Sequence, residues 1–233
     1  MAELSGKDRA NYVRRMFSRL AERYNIANHW MTWGQDMKWR REVIDRACLP
    51  KGGMLLDVGT GTGDLALEAI QRDRTLFAVG LDFTIEMIRQ GCMRQGSESV
   101  RWINADALDL PFPKESFDVV VSGYLLRNVV DEEKALAEQY RILKWGGRVV
   151  SLDTTPPPVD MWHQPVRLYL RYIIPIIGEL ITGDTNAYEY LPKSTELFMH
   201  SEELAGGMLM VGFKDVQYRC FMAGTMAIHW GVK

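Results

Sequence analysis

The densest chemical signal in the chain is Leu55-Leu56-Asp57-Val58-Gly59-Thr60-Gly61-Thr62-Gly63-Asp64, an apolar run that breaks into a loop with glycine at every second position. Without a Cβ, Gly59, Gly61 and Gly63 can take turns closed to other residues and let a ligand touch backbone. A second apolar run over 76–81 ends in Asp82, nineteen positions after Gly63. In a βαβ unit that acid sits at the carboxyl end of the neighbouring strand, where a carboxylate can accept both hydroxyl protons of a ribose.

The loop alone is ambiguous, because dinucleotide-binding folds use a related G-x-G-x-x-G and a comparable acid. Here the spacing is G-x-G-x-G, and Asp64 follows where a helix N-terminus would otherwise receive a pyrophosphate. A carboxylate there repels a diphosphate and tolerates a cofactor carrying a sulfonium and an ammonium group, which points to S-adenosylmethionine rather than NAD. The alternative is a glycine-rich turn that serves only strand-to-helix packing.

Composition sets the outer limits. With 233 residues and 47% hydrophobic content the chain suits one α/β domain with some elaboration. A formal charge of −2 gives no basic footprint for nucleic acid. Cys48, Cys92 and Cys220 form neither a disulfide framework nor a zinc pattern, and a reducing cytoplasm fits best. His29, His163, His200 and His229 lack ligand spacing, so no metal is expected. The N-terminus lacks a secretory pattern, and the most apolar stretch, 168–181, is too short to span a bilayer and is broken by Arg171, Pro175, Gly178 and Glu179.

The elements that must position these residues alternate regularly. Val13, Phe17, Leu20 and Tyr24 recur at helical spacing with arginines between them, and residues 1–50 read as an N-terminal helical cap over the cofactor side. Its second helix, around 39–48, ends at Pro50 and Gly52-Gly53. Strands are predicted over 54–58, 76–81, 100–103, 117–122 and 148–152, with helices from Asp64, over 85–93, and from an Asp131 N-cap to Lys144. The rhythm breaks at 154–200, a helical insertion or lid opening with Pro156-Pro157-Pro158. A helix over Ser201–Val211 and a hairpin, 213–221 and 225–230 around Met222-Ala223-Gly224, complete the chain. The expected fold is a single Rossmann-like α/β domain over 1–233, with a seven-stranded mostly parallel sheet, a C-terminal antiparallel hairpin and helices on both faces.

With the glycine loop, Asp82-Phe83, Leu110-Pro111-Phe112-Pro113 and Leu126-Arg127-Asn128-Val129 in this order, the chain resembles the class I S-adenosylmethionine-dependent methyltransferases. More narrowly it resembles the ubiquinone/menaquinone biosynthesis C-methyltransferases, which include the demethylmenaquinone methyltransferases. Tyr12-Val13-Arg14, Met16-Phe17, Trp39-Arg40, Gly212-Phe213 and the stretch Ala187-Tyr188-Glu189-Tyr190-Leu191-Pro192-Lys193-Ser194 extend the likeness nearly end to end. The resemblance implies that Gly59, Gly61, Thr62 and Gly63 hold the methionine moiety, Asp82 the ribose, and Asp106-Ala107 the adenine, with Phe83 packed against it. Gly123 stands where the family usually has serine, Lys144-Trp145-Gly146-Gly147 where it has Lys-Pro-Gly-Gly, and Asp153-Thr154-Thr155 where it has Glu-Phe-Ser. The plainer alternatives are that Asp106 caps a loop and that Phe83 is core.

By the same resemblance Arg127 and Asn128 sit beyond the carboxyl end of the fourth strand, where open α/β sheets bind ligands, and they are the expected catalytic residues, Arg127 stabilising a developing phenolate and Asn128 orienting the hydroxyl or a bridging water. The alternative is an Arg127 clamp on an acid such as Asp131; Tyr188, Tyr190 and Asp153 are secondary candidates. The implied acceptor is a lipophilic prenylated quinol precursor of menaquinone or ubiquinone, against another small phenol or amine, or a non-catalytic cofactor-binding assembly subunit. Met161, Trp162, Leu168, Tyr169, Tyr172, Ile173, Ile174, Ile176 and Ile177, with Arg167 and Arg171, offer a groove for the tail or a surface that dips into a membrane interface; the alternative is ordinary core. The expected setting is cytoplasmic, with peripheral contact at the inner membrane face, and a homodimer is compatible with it.

Overall fold

β1 (Met54–Val58) is the centre of the molecule and is buried on both sides. Leu55 packs with Trp39, Val43 and Ile44 in one cluster, while Leu56 and Val58 pack with Leu136, Phe117 and Phe213 in another. Such alternation in a strand apolar on both faces is what a sheet covered by helices on each side requires. The computed structural model describes residues 6–156, 166, 168–183 and 185–233.

The sheet has seven strands: β1, β2 (Phe77–Asp82), β3 (Val100–Asn104), β4 (Phe117–Gly123), β5 (Leu143–Thr154), β6 (Lys214–Phe221) and β7 (Met226–Val232). Their order is β3-β2-β1-β4-β5-β7-β6. The first five run parallel, and β7 is antiparallel to both β5 and β6. The expected Rossmann-like architecture with its antiparallel hairpin is therefore the observed one. The strand order reverses between β1 and β4, and open α/β sheets bind ligands at the carboxyl edge of such a switch point.

Around the sheet lie α1 (Gly6–Leu20), α2 (Tyr24–Met31), α3 (Asp36–Ala47), α4 (Asp64–Arg72), α5 (Ile85–Cys92) and α6 (Glu132–Ile142), then α7 (Ile174–Thr182), α8 (Thr185–Glu196) and α9 (Ser201–Val211). The Asp131 side chain accepts from Lys134 N at 2.9 Å and caps α6. The helix ends at Ile142, not at Lys144, because Leu143 leaves to pair with Phe117 as the first residue of a longer β5.

A third apolar cluster joins α1 and α2 to the 154–200 segment, with Val13, Met16, Leu20, Ala27, Met31, Tyr188 and Tyr190 buried together. Gly178 makes this possible: a Cβ there would lie 2.0 Å from the Tyr188 ring. A π-helical turn, Tyr169–Ile173, precedes α7. It is tied to the end of α2 by Trp33 Nε1 donating to the Tyr169 hydroxyl at 3.0 Å, and that hydroxyl donating to Met31 O at 2.7 Å. Of the apolar groove residues expected from sequence, Met161 and Trp162 lie outside the described residues, as does Arg167. Among the described residues no helix is long and apolar enough to cross a membrane.

Candidate active site

Four strand ends converge on one cleft. β1 contributes Asp57 and the turn Gly59, Thr60, Gly61; β2 contributes Asp82, Phe83 and Thr84; β3 leads to Asp106 and Ala107; β4 ends in Gly123 and Tyr124. α1 closes it with Ala10, Val13 and Phe17, and Asn128 stands at its β4 side. Thr62 and Gly63 are not brought into the lining. The Thr62 hydroxyl donates to Asn25 Oδ1 at 2.9 Å, and Gly63 faces the Trp102 ring, which a Cβ would meet at 2.3 Å. The three glycines thus divide their work. Gly59 is packed under Leu125, Gly63 admits Trp102, and only Gly61, at φ +57°, has nothing within 4 Å of where a Cβ would be.

The carboxylates in this cleft differ in their ties. Asp82 accepts from Gly61 N at 2.8 Å and from Thr84 N at 2.7 Å, and burial nonetheless holds its pKa above the ordinary range. Asp57 Oδ2 accepts from the Thr60 hydroxyl at 2.6 Å and from Ala66 N at 3.2 Å, while its Oδ1 is buried without a partner. Burial lifts the Asp57 pKa to about 7, against the lowering effect of those two bonds. Asp64 is not the free negative charge its sequence position suggests. Arg94 donates to its Oδ1 at 2.6 Å and Arg40 lies 3.0 Å from its Oδ2, so two guanidinium groups neutralise it and the electrostatic case passes to Asp57 and Asp82. Asp106 Oδ1 accepts from Leu108 N at 2.9 Å, which caps its loop, and Phe83 is half-buried with the Arg14 guanidinium 5.5 Å from its ring centre. Ser122, next to Gly123, turns its hydroxyl to Ser151 within the sheet and away from the cleft.

A second cavity of about 1270 Å³, counted to its open mouth, lies toward the β5 and β7 ends. Its walls are mainly apolar, with Met31, Trp33, Ile174, Pro192, Met222 and Met226 among them, and Arg127 and Thr154 supply polar groups. Trp33, Tyr124, Met222 and Ala223 hold left-handed backbone there, at φ of 54, 58, 47 and 50°. Non-glycine residues in that region carry strain, and strain of this kind gathers at working sites.

Arg127 and Asn128 sit in the short 3-10 turn Leu126–Asn128 after β4, both buried. Arg127 faces the second cavity and Asn128 the cleft. The acid beside Arg127 is Asp153, 3.7 Å away, not Asp131, which is occupied as the α6 cap. Arg127 also donates to the Thr154 hydroxyl at 2.8 Å, yet its Nε is buried with no partner. Burial raises the Asp153 pKa and the Arg127 charge opposes it. Asn128 Nδ2 donates to Tyr124 O at 2.7 Å, and the Tyr190 hydroxyl donates to its Oδ1 at 3.3 Å. Tyr188 lines neither space; it is core beneath Gly178.

Two residues absent from the sequence reading stand between the spaces. Asn28 and Tyr124 line both. A signal for Asn28 does exist: Tyr24, Asn28 and Thr32 recur every fourth residue, while Ile26 and Trp30 on α2 are exposed, so the polar stripe of this helix points inward.

Solved structures share the fold. An S-adenosylmethionine-dependent methyltransferase from Thermotoga maritima matches with a TM-score of 0.65 at 18% identity, covering 95% of this chain and 99% of that one. Phosphoethanolamine N-methyltransferase 2 of Haemonchus contortus, solved with S-adenosylhomocysteine, matches with a TM-score of 0.70 at 17% identity over 95% of this chain and 60% of that one. The fold is that of the class I S-adenosylmethionine-dependent methyltransferases. Residues 5–233 match the model of the ubiE/COQ5 methyltransferase family, and the chain belongs to that family. It is 45% identical to the ubiquinone/menaquinone biosynthesis C-methyltransferase UbiE of Desulfotalea psychrophila, over 95% of this chain and 90% of that protein. It is 42% identical to the demethylmenaquinone methyltransferase of Thermus thermophilus, over 93% and 99%. The protein is a methyltransferase whose cofactor is S-adenosylmethionine. The cleft fits that group: open space at Gly61 admits a ligand against backbone, the unpartnered Asp57 oxygen suits an ammonium, and Arg40, the one cation among the described lining residues, is taken up by Asp36 and Asp64, which leaves Asp57, Asp82 and Asp106 without a lining cation.

Proposed function

We propose that the protein methylates a ring carbon of a hydroquinone bearing a prenyl tail, a precursor of menaquinone or ubiquinone. The observation that carries this reading is the apolar second cavity that meets the cofactor cleft beside a buried guanidinium with an unused N–H. The names of the Desulfotalea and Thermus relatives point the same way.

S-adenosylmethionine supplies an electrophilic methyl group, so the protein's task is to hold nucleophile and methyl in line and near contact. Asp82 takes the ribose hydroxyls, Asp57 the ammonium, and Phe83 with Asp106 and Ala107 the adenine. Gly59 and Gly61 present backbone, Thr62 and Gly63 hold the turn from behind, and Gly123 leaves room beside Leu65. A phenol of pKa about 10 needs help to ionise. Arg127 provides it by donating from Nε to the developing phenolate. Asn128 holds the turn that carries Arg127, through Tyr124 O and the Tyr190 hydroxyl. The acceptor tail leaves past Trp33 and Tyr169 toward the cytoplasmic face of a membrane, where the enzyme works as a peripheral protein.

A soluble phenol is the competing acceptor, and the hydroxyls of Thr154, Thr195 and Thr225 in the second cavity favour it. The test is transfer of labelled methyl from S-adenosylmethionine to a prenylated naphthohydroquinone, a prenylated benzohydroquinone and catechol, with the product mapped by mass spectrometry. A C-methylated prenylated product is expected. Label found only on catechol, or on oxygen in place of carbon, would overturn the proposal.

A further inference from the structure

The cofactor cleft and the second cavity meet at one place. Among the described residues, only Asn28 and Tyr124 belong to both linings, so the two spaces adjoin at these two side chains. Burial raises the pKa of Tyr124, which therefore stays a neutral phenol. The Asn28 amide is the group with an unused bond to offer: Nδ2 is buried and donates to nothing. The Tyr24 hydroxyl, one turn earlier on α2, is the polar neighbour of this amide: the contact lowers the Tyr24 pKa but falls short of full hydrogen-bond distance and angle, and the larger effect of burial keeps that phenol protonated too. Buried donors without acceptors are rare in folded proteins. This one stands where the acceptor's reacting edge must lie.

We propose that Asn28 Nδ2 donates to the acceptor hydroxyl oxygen next to the carbon that is methylated, setting that carbon against the methyl and stabilising the oxygen as its charge develops. This rests on the phenolic-acceptor reading and deepens it. The work divides by position: Arg127 lines only the second cavity and supplies charge, whereas Asn28 lies at the junction and supplies register. In the step, the phenolic proton leaves to solvent, the ring carbon bonds to the methyl, and the S–C bond breaks with its electron pair going to sulfur. Loss of the ring proton and return of a proton to oxygen then restore the aromatic hydroquinone, with one proton released overall.

Asn28→Leu keeps the volume and removes the donor; Asn28→Asp keeps the shape and presents an acceptor. With a hydroquinone acceptor, Asn28→Leu is expected to lower kcat by about 10- to 100-fold, the range for a hydrogen bond to a charged group, with the Kd for S-adenosylhomocysteine within about twofold of wild type. A second readout needs no turnover. The visible absorbance of 4-nitrophenol bound to the S-adenosylhomocysteine complex reports its ionisation, which should fall below the free value in wild type, return to it in Asn28→Leu and rise above it in Asn28→Asp. Unchanged kcat and unchanged nitrophenol titration in Asn28→Leu would overturn the role, as would an equal loss of S-adenosylhomocysteine affinity, which would assign the amide to the cofactor. If Asn28→Leu does not fold, the Asn28→Asp titration decides alone. Wild-type enzyme inert toward every hydroquinone would sink the acceptor reading and this role together; an active wild type matched by Asn28→Leu would sink the role only.

Discussion

Asp57 shows how a single side chain can hold its state open until a ligand arrives. Its carboxyl, lifted by burial to about 7, has one oxygen engaged by Thr60 and Ala66 and one unpartnered. Because the folded pKa lies above the ordinary carboxylate value, the fold favours the protonated form. Its contribution to stability is full at acid pH and is lost as pH rises through about 7. An ammonium has the opposite preference and binds the carboxylate. S-adenosylhomocysteine affinity is therefore expected to rise about tenfold per pH unit on the acid side and to level off above the Asp57 pKa. Calorimetric titration across that range checks it, and Asp57→Asn should abolish the acid limb while leaving any alkaline limb from the ligand's own amine. Gly61 and Asp82 were legible in the sequence because their placement follows from one strand-turn-helix-strand unit, whereas the sequence argument gave the local charge to Asp64, which two arginines take up, and passed over Asp57 in the same run. Tyr124 was not legible, and the polar stripe of α2 shows only that Asn28 turns inward; what both residues face depends on where α2 lies relative to the end of β4, which no local pattern records.

At the scale of elements, the N-terminal helices do structural work for the site they cover. Arg9 donates to Arg127 O at 2.8 Å, fixing the turn that carries Arg127 from α1. Arg40 bridges buried Asp36 at 3.1 Å and Asp64 at 3.0 Å, so α3 holds the start of α4. The covering helices are in turn seated through Tyr188 against Gly178. Gly178→Ala forces a methyl into that ring, and an overpacked core of this kind costs about 1–3 kcal/mol. The expected result is a lower melting temperature and weaker acceptor turnover, with S-adenosylhomocysteine binding less affected because Gly178 lies outside the cofactor cleft; unaltered melting would show that α7 and α8 yield. The sequence marks α9 at its observed bounds and the hairpin nearly so, but ends α6 late, because the two glycines at 146 and 147 are a louder signal than the pairing of Leu143 with Phe117.

At the scale of the whole molecule, exposed apolar side chains collect on α2, the π-helical turn and α7, the elements that supply Met31, Tyr169 and Ile174 to the second cavity. Trp33 is 75% exposed, Leu180 81% and Trp30 65%, with Ile26, Tyr172 and Ile176 also exposed. Arg171 lies among them, and Arg23 is bound to Ile181 O at 2.7 Å. Aromatic and aliphatic groups with interspersed arginine suit a lipid interface. Co-sedimentation with phosphatidylglycerol-containing vesicles is expected, and Leu180→Glu should weaken it by at least about fivefold, since the burial of one large apolar side chain is worth about 1.5–3 kcal/mol. Equal partition of wild type and variant would remove this face from the contact.

The sheet order has a kinetic consequence. The cofactor cleft begins beyond β3, at one edge of the sheet, and the second cavity ends at the β6–β7 turn, at the other. The two products therefore do not queue for one exit. On the proposed prenylated-quinol reading, spent cofactor is exchanged at one edge while a long hydrophobic product drains at the other, and one docking event serves many turnovers.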